Sequence, residues 1–266
     1  GNRLLAPRRA APNAVFLRDQ GYIGDPNEGV WGELIGARED QMLLGEGNHV
    51  YVQLKPGKDV RPGQELQVFH RQRRPPAVKG SRRPPGEIVT IRGTVRVDHY
   101  DPKTHVARGR ITESLDVIER GAAVGPLGRK LEVVSPRPSE VSAWTYVISS
   151  VHPHVYMGQN QLVFLDKGSE DGLKPGNRLI VVRKGDTWRR SLRTAARMAR
   201  ERVVVDSPDK VDTETTPLRG DEDKFPAESV AELRVLRTEK YSSIALVTES
   251  SAEIVVGDRA LARKGY

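Results

Sequence analysis

The chain of 266 residues contains no cysteine, and aromatic residues make up only 5% of it. Without cysteine, the chain cannot form disulfides, a thiolate nucleophile or a cysteine-ligated metal site. No run approaches the roughly 18 apolar residues that a membrane-spanning helix needs. The sequence also lacks an initiating methionine and a signal-type apolar stretch, and we expect it to be a mature or excised fragment.

Length and positive charge are the first informative properties of the chain. Lys and Arg number 43 against 35 Asp and Glu, which gives a formal net charge of +8. A positive charge favours anionic partners in general, whether nucleic acid, lipid, glycan or protein, without choosing among them. The length predicts two domains rather than one.

An internal repeat decides the predicted architecture. The segment NHVYVQLKPGKDVRPGQELQVFH aligns with NQLVFLDKGSEDGLKPGNRLIVVR, so that Gly63 matches Gly176 and Val52 matches Leu165 at a shift of 113. Such self-similarity predicts two copies of one structural module.

The repeat continues after a longer connection in the second copy. Gly93 matches Ala231 at a shift of 138, and Thr112 matches Thr248 at a shift of 136. The change of shift predicts about 25 extra residues in the second copy, within an insertion at 188–223. Length differences confined to connections are typical of surface loops.

Period-two alternation and turn residues predict β-structure. Apolar residues alternate with polar ones from Val89 to Asp98, as in a half-buried strand. The segments KPGKDVRPG and KGSEDGLKPG predict tight turns. We therefore predict an all-β fold of two tandem duplicated small β-barrel or sandwich modules. The predicted parts are an irregular N-terminal arm or linker at 1–24, a first module at 25–127, a second module at 128–266 with the insertion 188–223, and one short helix at 191–202 inside that insertion.

The best candidate for partner binding is the basic loop, residues 71–83, with the sequence RQRRPPAVKGSRR. Its proline pairs predict an extended, exposed loop. Two interpretations of the loop stay open: a solvated loop tip, or a surface that attracts an anionic glycan, lipid or protein. The loop has no aromatic residue, which disfavours nucleic acid as its ligand. Its basic residues are Arg71, Arg73, Arg74, Lys79, Arg82 and Arg83.

The sequence contains no pattern typical of catalysis or cofactor binding. His152 and His154 lack further ligands at productive spacing, so we predict no metal site. The Thr-Glu-Ser triplets at 112–114 and 248–250 occur in both copies, which favours a fold-building role. No phosphate-binding loop precedes a helix. We therefore predict a non-enzymatic protein without a cofactor.

Two segments of the second copy carry a resemblance to a known family. They are VFLDKGSEDGLKPGNRLIVV, at Val163–Val182, and the ending AELRVLRTEKYSSIALVTESSAEIVVGDRA. Both resemble the secretin-associated proteins of the type IV pilus, the TsaP family, except that Asn177 stands where the family has histidine. The family's glycine-rich turn is matched by Asp166, Lys167, Gly168, Asp171, Gly172, Leu173, Pro175, Gly176 and Asn177.

The resemblance implies a structural accessory of the periplasm, associated with the outer membrane and cell wall and related to the C-terminal domain of the flagellar protein FlgT. Its implied partners are the outer-membrane secretin and, through a LysM domain that these 266 residues lack, peptidoglycan. It also implies a ring-like homo-oligomer around the secretin. Two alternatives remain open, a nucleic-acid-binding tandem-barrel protein and a flagellar or other envelope collar, although we expect no nucleic-acid partner.

Overall fold

The structure is a computed structural model that describes residues 15–18, 21–71, 74–126, 131–152, 154–184 and 224–266. Apart from one 3₁₀ turn, every regular element in these ranges is a β-strand. The predicted all-β fold is therefore confirmed, and its modules are two closed six-stranded barrels. Within these ranges, no helix is long and apolar enough to cross a membrane.

The first barrel is preceded by two short strands, β1 (Val15–Arg18) and β2 (Gly21–Gly24). Its six strands are β3 (Gly32–Ala37), β4 (His49–Leu54), β5 (Glu65–Arg71), β6 (Glu87–Asp101), β7 (Val106–Ser114) and β8 (Ala123–Gly125). They pair in the circular order β6-β5-β8-β3-β4-β7, and β6 pairs again with β7 to close the barrel.

The second barrel follows β9 (Leu131–Val134). Its strands are β10 (Ala143–Ser150), β11 (Leu162–Leu165), β12 (Arg178–Lys184), β13 (Ala227–Thr238), β14 (Ser243–Ser250) and β15 (Arg259–Ala262), and the 3₁₀ turn is Ser169–Asp171. The strands pair in the order β10-β11-β14-β13-β12-β15. When β3 to β8 are matched with β10 to β15 one by one, the circular strand order is the same in both barrels.

Irregularities recur at equivalent positions in both barrels. The register between β3 and β4 shifts at Leu34/Gly36, and that between β10 and β11 shifts at Val147/Ser149, which lies 113 positions later. Because side chains alternate between the two sides of a strand, equal register means that both copies bury the same face. Equivalent corners are also closed by the isolated bridges Leu44 to Ile118 and Met157 to Ile254.

Each barrel is filled by its own apolar core, because inward-facing positions alternate along every strand. Five buried residues of the first core occupy the positions of five in the second. They are Leu34, Val52, Val68, Val95 and Ile111 in the first barrel and Val147, Leu165, Val181, Leu233 and Val247 in the second.

The irregular conformation predicted for the N-terminal arm is wrong at two places. Strand β1 pairs antiparallel with β9, and β2 pairs with the first residues of β6, Glu87 to Thr90. Strand β6 extends beyond the part that pairs with β7, and β2 supplies partners for its otherwise unpaired backbone groups.

Three predictions fall outside the described residues. They are the boundary between the modules at 127–128, the insertion 188–223 and its helix at 191–202. These stay predictions.

Candidate functional site

The basic loop lies against the second barrel rather than projecting into solvent along its whole length. The Arg82 backbone N–H donates to Asp166 Oδ2 at 3.0 Å, and its guanidinium donates to Asp171 Oδ2 at 2.5 Å. Val78 of the same loop packs against an apolar cluster that both barrels share. This part of the loop therefore joins the barrels.

The other predicted loop residues differ in their surroundings. Arg83 donates through Nε to the Pro75 carbonyl at 2.9 Å, within the loop itself. Arg71, Arg74 and Lys79 are exposed, and Arg73 lies outside the described residues. A partner-binding role for these residues stays a prediction.

Asp166 is the polar centre of the contact. Its side chain is buried, and Oδ1 accepts hydrogen bonds from the Thr145 hydroxyl and the Tyr146 N–H, both at 2.8 Å. With the Arg82 N–H on Oδ2, three donors therefore satisfy this buried carboxylate. The Asp166 carboxylate holds the loop in place because a buried carboxylate oxygen that loses its hydrogen-bond donor would destabilise the fold.

Asp171 provides the second anchor for Arg82. Burial alone raises the pKa of the Asp171 carboxyl, but hydrogen bonds from the Gly168 N–H, Lys167 and Arg82 outweigh it. The net result is a pKa below the ordinary value. The carboxylate is thus held in the charged form that pairs with Arg82.

Glycines of the motif KGSEDGLKPG are required by the packing of the turn. A Cβ on Gly168 would lie 2.2 Å from the Glu239 carbonyl oxygen, and Gly172 has a left-handed φ of 83°. Asn177 accepts from the Lys174 N–H at 2.7 Å and donates to the Arg137 carbonyl. The residues that carry the family resemblance therefore build the second barrel and hold the loop of the first.

An apolar cluster completes the junction, which we define as the contact region around Ile23, Ile88, Ile148, Phe164 and Ile244. Ile23 and Ile88 come from β2 and β6, and the other three come from the second barrel. All five are 5% exposed or less. The two barrels therefore share a buried apolar interface in addition to the polar contacts of Arg82.

A cavity of about 590 Å³ between the barrels brings together His70, His152 and His154. The rings of His152 and His154 have centroids 6.2 Å apart, and both residues are exposed. Across the described ranges, no three His, Cys, Asp or Glu side chains are grouped so that they could hold a metal ion.

The repeated Thr-Glu-Ser triplets have the same bonds in both copies. The Thr112 hydroxyl donates to the Thr94 carbonyl at 3.4 Å, and the Thr248 hydroxyl donates to the Glu232 carbonyl at 3.3 Å. Ser114 and Ser250 each donate to the backbone carbonyl two residues ahead. Both triplets shape the end of a strand, which supports their predicted fold-building role.

Each barrel exposes a pair of large apolar side chains at the same turn. Met42 and Leu43 are 79% and 51% exposed, and their counterparts Val155 and Tyr156 are 74% and 64% exposed. The next residue in each copy, Leu44 or Met157, is buried. Exposed apolar groups in contiguous positions are typical of binding surfaces.

The sequence interpretation missed a surface of the first barrel that we call the free face. Tyr51 on β4 pairs with Arg108 on β7, and Arg110 lies two residues further along β7. Ile35 and Arg38 are exposed next to them on β3 and its end. The clue is the pattern VARGRI beside VYV, in which arginine and tyrosine occupy outward positions of neighbouring strands.

The free face is equivalent to the covered face of the second barrel. Phe164 pairs with Ile244 in β11 and β14 just as Tyr51 pairs with Arg108 in β4 and β7. The same outward positions are thus apolar and buried in one copy, but a tyrosine and an arginine, both exposed, in the other.

No protein-family model matches the chain, and no curated protein shows significant similarity to it.

Proposed function

We propose that this chain is a non-catalytic structural accessory of the type IV pilus machine, which docks around the outer-membrane secretin in the periplasm. The observation that carries the proposal is the role of the resemblance segment, Val163–Val182. Its residues Asp166 and Asp171 hold Arg82 of the first barrel, so the resembling part of the chain serves to join two modules. Linkage to peptidoglycan would come from a LysM domain outside these 266 residues.

A fixed arrangement of two barrels suits a docking scaffold. The shared apolar cluster and the Arg82 contacts limit movement of one barrel against the other. Less conformational freedom is then lost on binding, so more of the contact energy appears as affinity. The pairs Met42/Leu43 and Val155/Tyr156 offer two equivalent apolar contacts for a protein partner.

Co-purification with the secretin tests the proposal. The purified chain is mixed with detergent-solubilised secretin complexes, and the bound fraction is measured after size-exclusion chromatography. We expect the native chain to elute with the secretin and the variant Met42→Ser/Leu43→Ser/Val155→Ser/Tyr156→Ser to elute separately. The matched control, Arg61→Ser/Lys264→Ser, alters exposed positions elsewhere and is expected to bind. Separate elution of the native chain would overturn the proposal.

Nucleic-acid binding through the basic loop is the second candidate. It loses support because Arg82 and Arg83, two of the six basic residues, already contact protein groups. Binding to phosphates weakens steeply as salt rises. Gel shifts with single-stranded DNA and RNA at rising salt separate this candidate from the scaffold, which predicts no shift at low salt.

A further inference from the structure

The duplication itself points to a use for the free face, Ile35, Arg38, Tyr51, Arg108 and Arg110. In the second barrel, the equivalent face is covered by the first barrel. Ile148, Phe164 and Ile244, the counterparts of Ile35, Tyr51 and Arg108, are 1%, 1% and 4% exposed. The same face is therefore buried in a contact in the second barrel and exposed to solvent in the first.

The chemistry of the free face differs from that of its buried counterpart. Ile35 is 50% exposed and Tyr51 is 36% exposed. Arg38, Arg108 and Arg110 surround them, and the exposed Arg96 on β6 pairs with Arg110. The nearby carboxylates are Glu33, Asp98 and Glu39, and Glu39 is already hydrogen-bonded to His49. Tyrosine and arginine are both enriched in protein interfaces, and here the arginines lie around the tyrosine. The occupant should therefore be acidic with some apolar side chains.

The part of the first barrel that covers the second includes the connection between β5 and β6. Val78 in that connection packs in the shared cluster, and Arg82 reaches Asp166 and Asp171. Strands β12 and β13 are the counterparts of β5 and β6, so their connection leaves the second barrel from the equivalent place. That connection contains residues 203–223, which carry seven acidic and two basic residues.

We propose that the acidic segment 203–223 of one molecule binds the free face of a second copy of this chain. The segment contains Val203, Val204 and Val205 as apolar groups next to its first carboxylate, Asp206. Its valines match the apolar side chains of the free face, and its carboxylates complement the three arginines. The proposed contact has the same form as the one inside the molecule, where the β5–β6 connection of the first barrel packs on the second barrel.

The order of the two barrels along the chain favours a second copy as the binding partner over the molecule's own first barrel. Barrel one supplies the connection and barrel two supplies the face. For a connection from barrel two, the next barrel is barrel one of another molecule. Each such contact is head-to-tail and leaves one segment and one face unused. The inference concerns self-association alone and does not depend on the secretin as a partner.

A charge-swap experiment on the full 266-residue chain tests the inference. Sedimentation velocity at rising protein concentration is measured for the native chain, for Arg108→Glu/Arg110→Glu, and for Asp206→Lys/Asp209→Lys/Asp212→Lys. We expect the native chain to associate as its concentration rises, and high salt to weaken that association. In each variant the association constant should fall about 100-fold, because like charges then face each other. Mixing the two variants should restore association, because the lysines of one variant's segment then meet the glutamates of the other's face and the native segment meets the native face. Arg61→Glu/Lys264→Glu is the control and should associate like the native chain.

Three results would overturn the inference. The first is a native chain that stays monomeric at all concentrations in low salt, as expected if 203–223 binds its own molecule. The second is association that neither variant weakens, or that mixing fails to restore. The third is a monomer whose binding of single-stranded nucleic acid is abolished by Arg108→Glu/Arg110→Glu. Circular dichroism of each variant establishes that the barrels remain folded.

Discussion

The backbone N–H of Arg82 donates to Oδ2 of Asp166 at 3.0 Å, across the contact between the two barrels. Asp166 lies in the second barrel and is 1% exposed, and its other oxygen accepts from Thr145 and Tyr146. One buried carboxylate therefore serves the internal structure of one barrel and the attachment of the other.

Replacing Asp166 should loosen the junction as well as destabilise the second barrel. Asp166→Ala leaves three donors without an acceptor, and we expect a loss of about 2 to 4 kcal/mol in the free energy of unfolding. Urea denaturation gives that value, and hydrogen exchange should show faster exchange in residues 74–86. Asp98→Ala, at an exposed position, serves as control. Unchanged exchange in 74–86 would contradict the role assigned to Asp166.

Gly168 and Gly158 provide a matched pair of glycine substitutions. Gly168→Ala places a Cβ within 2.2 Å of the Glu239 carbonyl and 2.7 Å of the Ser242 N–H nitrogen, whereas a Cβ on Gly158 meets nothing within 4 Å. We expect Gly168→Ala to cost about 2 kcal/mol or more and Gly158→Ala to stay within about 0.5 kcal/mol. Thermal and urea denaturation measure both. Equal effects would show that the turn is not as tightly packed as described.

Phe164 and Tyr51 occupy one position in two copies, but only Phe164 is buried at the junction. Phe164→Ala should lower the free energy of unfolding by about 3 to 5 kcal/mol. Tyr51→Ala should change it by about 1 kcal/mol or less, since the ring is 36% exposed. Urea denaturation of the two variants provides the comparison. A large loss in Tyr51→Ala would mean that the free face is structurally required.

The Arg82–Asp171 pair should make the junction sensitive to acid. The pKa of the Asp171 carboxyl is lower in the folded chain than its ordinary value, so the folded state binds this proton less tightly than the unfolded state. The stability that the carboxylate contributes is present above about pH 4 and is lost as the pH falls through the folded-state pKa. Arg82→Gln should raise the pKa of Asp171 toward its ordinary value.

Carboxyl-carbon NMR chemical shifts followed against pH measure the pKa of Asp171. Arg61→Gln is the control, because Arg61 lies in the first barrel away from the junction. An unchanged pKa of Asp171 in Arg82→Gln would rule out the ion pair as a cause of the shift.

The two barrels can be predicted from the internal repeat, because the repeat is recognised from turn glycines and apolar residues that lie close together in the sequence. The match of Gly63 with Gly176, followed by the change of shift between Gly93 and Ala231, identifies the equivalent strands of the two copies. Alternation within β6 is less reliable. It predicts Thr90 on the polar side of that strand, yet Thr90 is 4% exposed because β6 is covered by β2 and the second barrel in that part.

The position of the basic loop cannot be predicted from the sequence. A run with six basic and no acidic residues predicts exposure, and the carboxylates that receive Arg82 lie 84 and 89 residues away. No local pattern connects residues so far apart. The pair of Tyr51 and Arg108 escapes prediction for the same reason, since only the pairing of β4 with β7 brings them together.

Differential scanning calorimetry of the native chain and of Phe164→Ala tests most directly whether the two barrels form one rigid scaffold. A shared apolar cluster and the Arg82 contacts predict a single cooperative transition in the native chain. Phe164→Ala should move that whole transition to lower temperature. Two separate transitions in the native chain, only one of which responds to Phe164→Ala, would contradict the account.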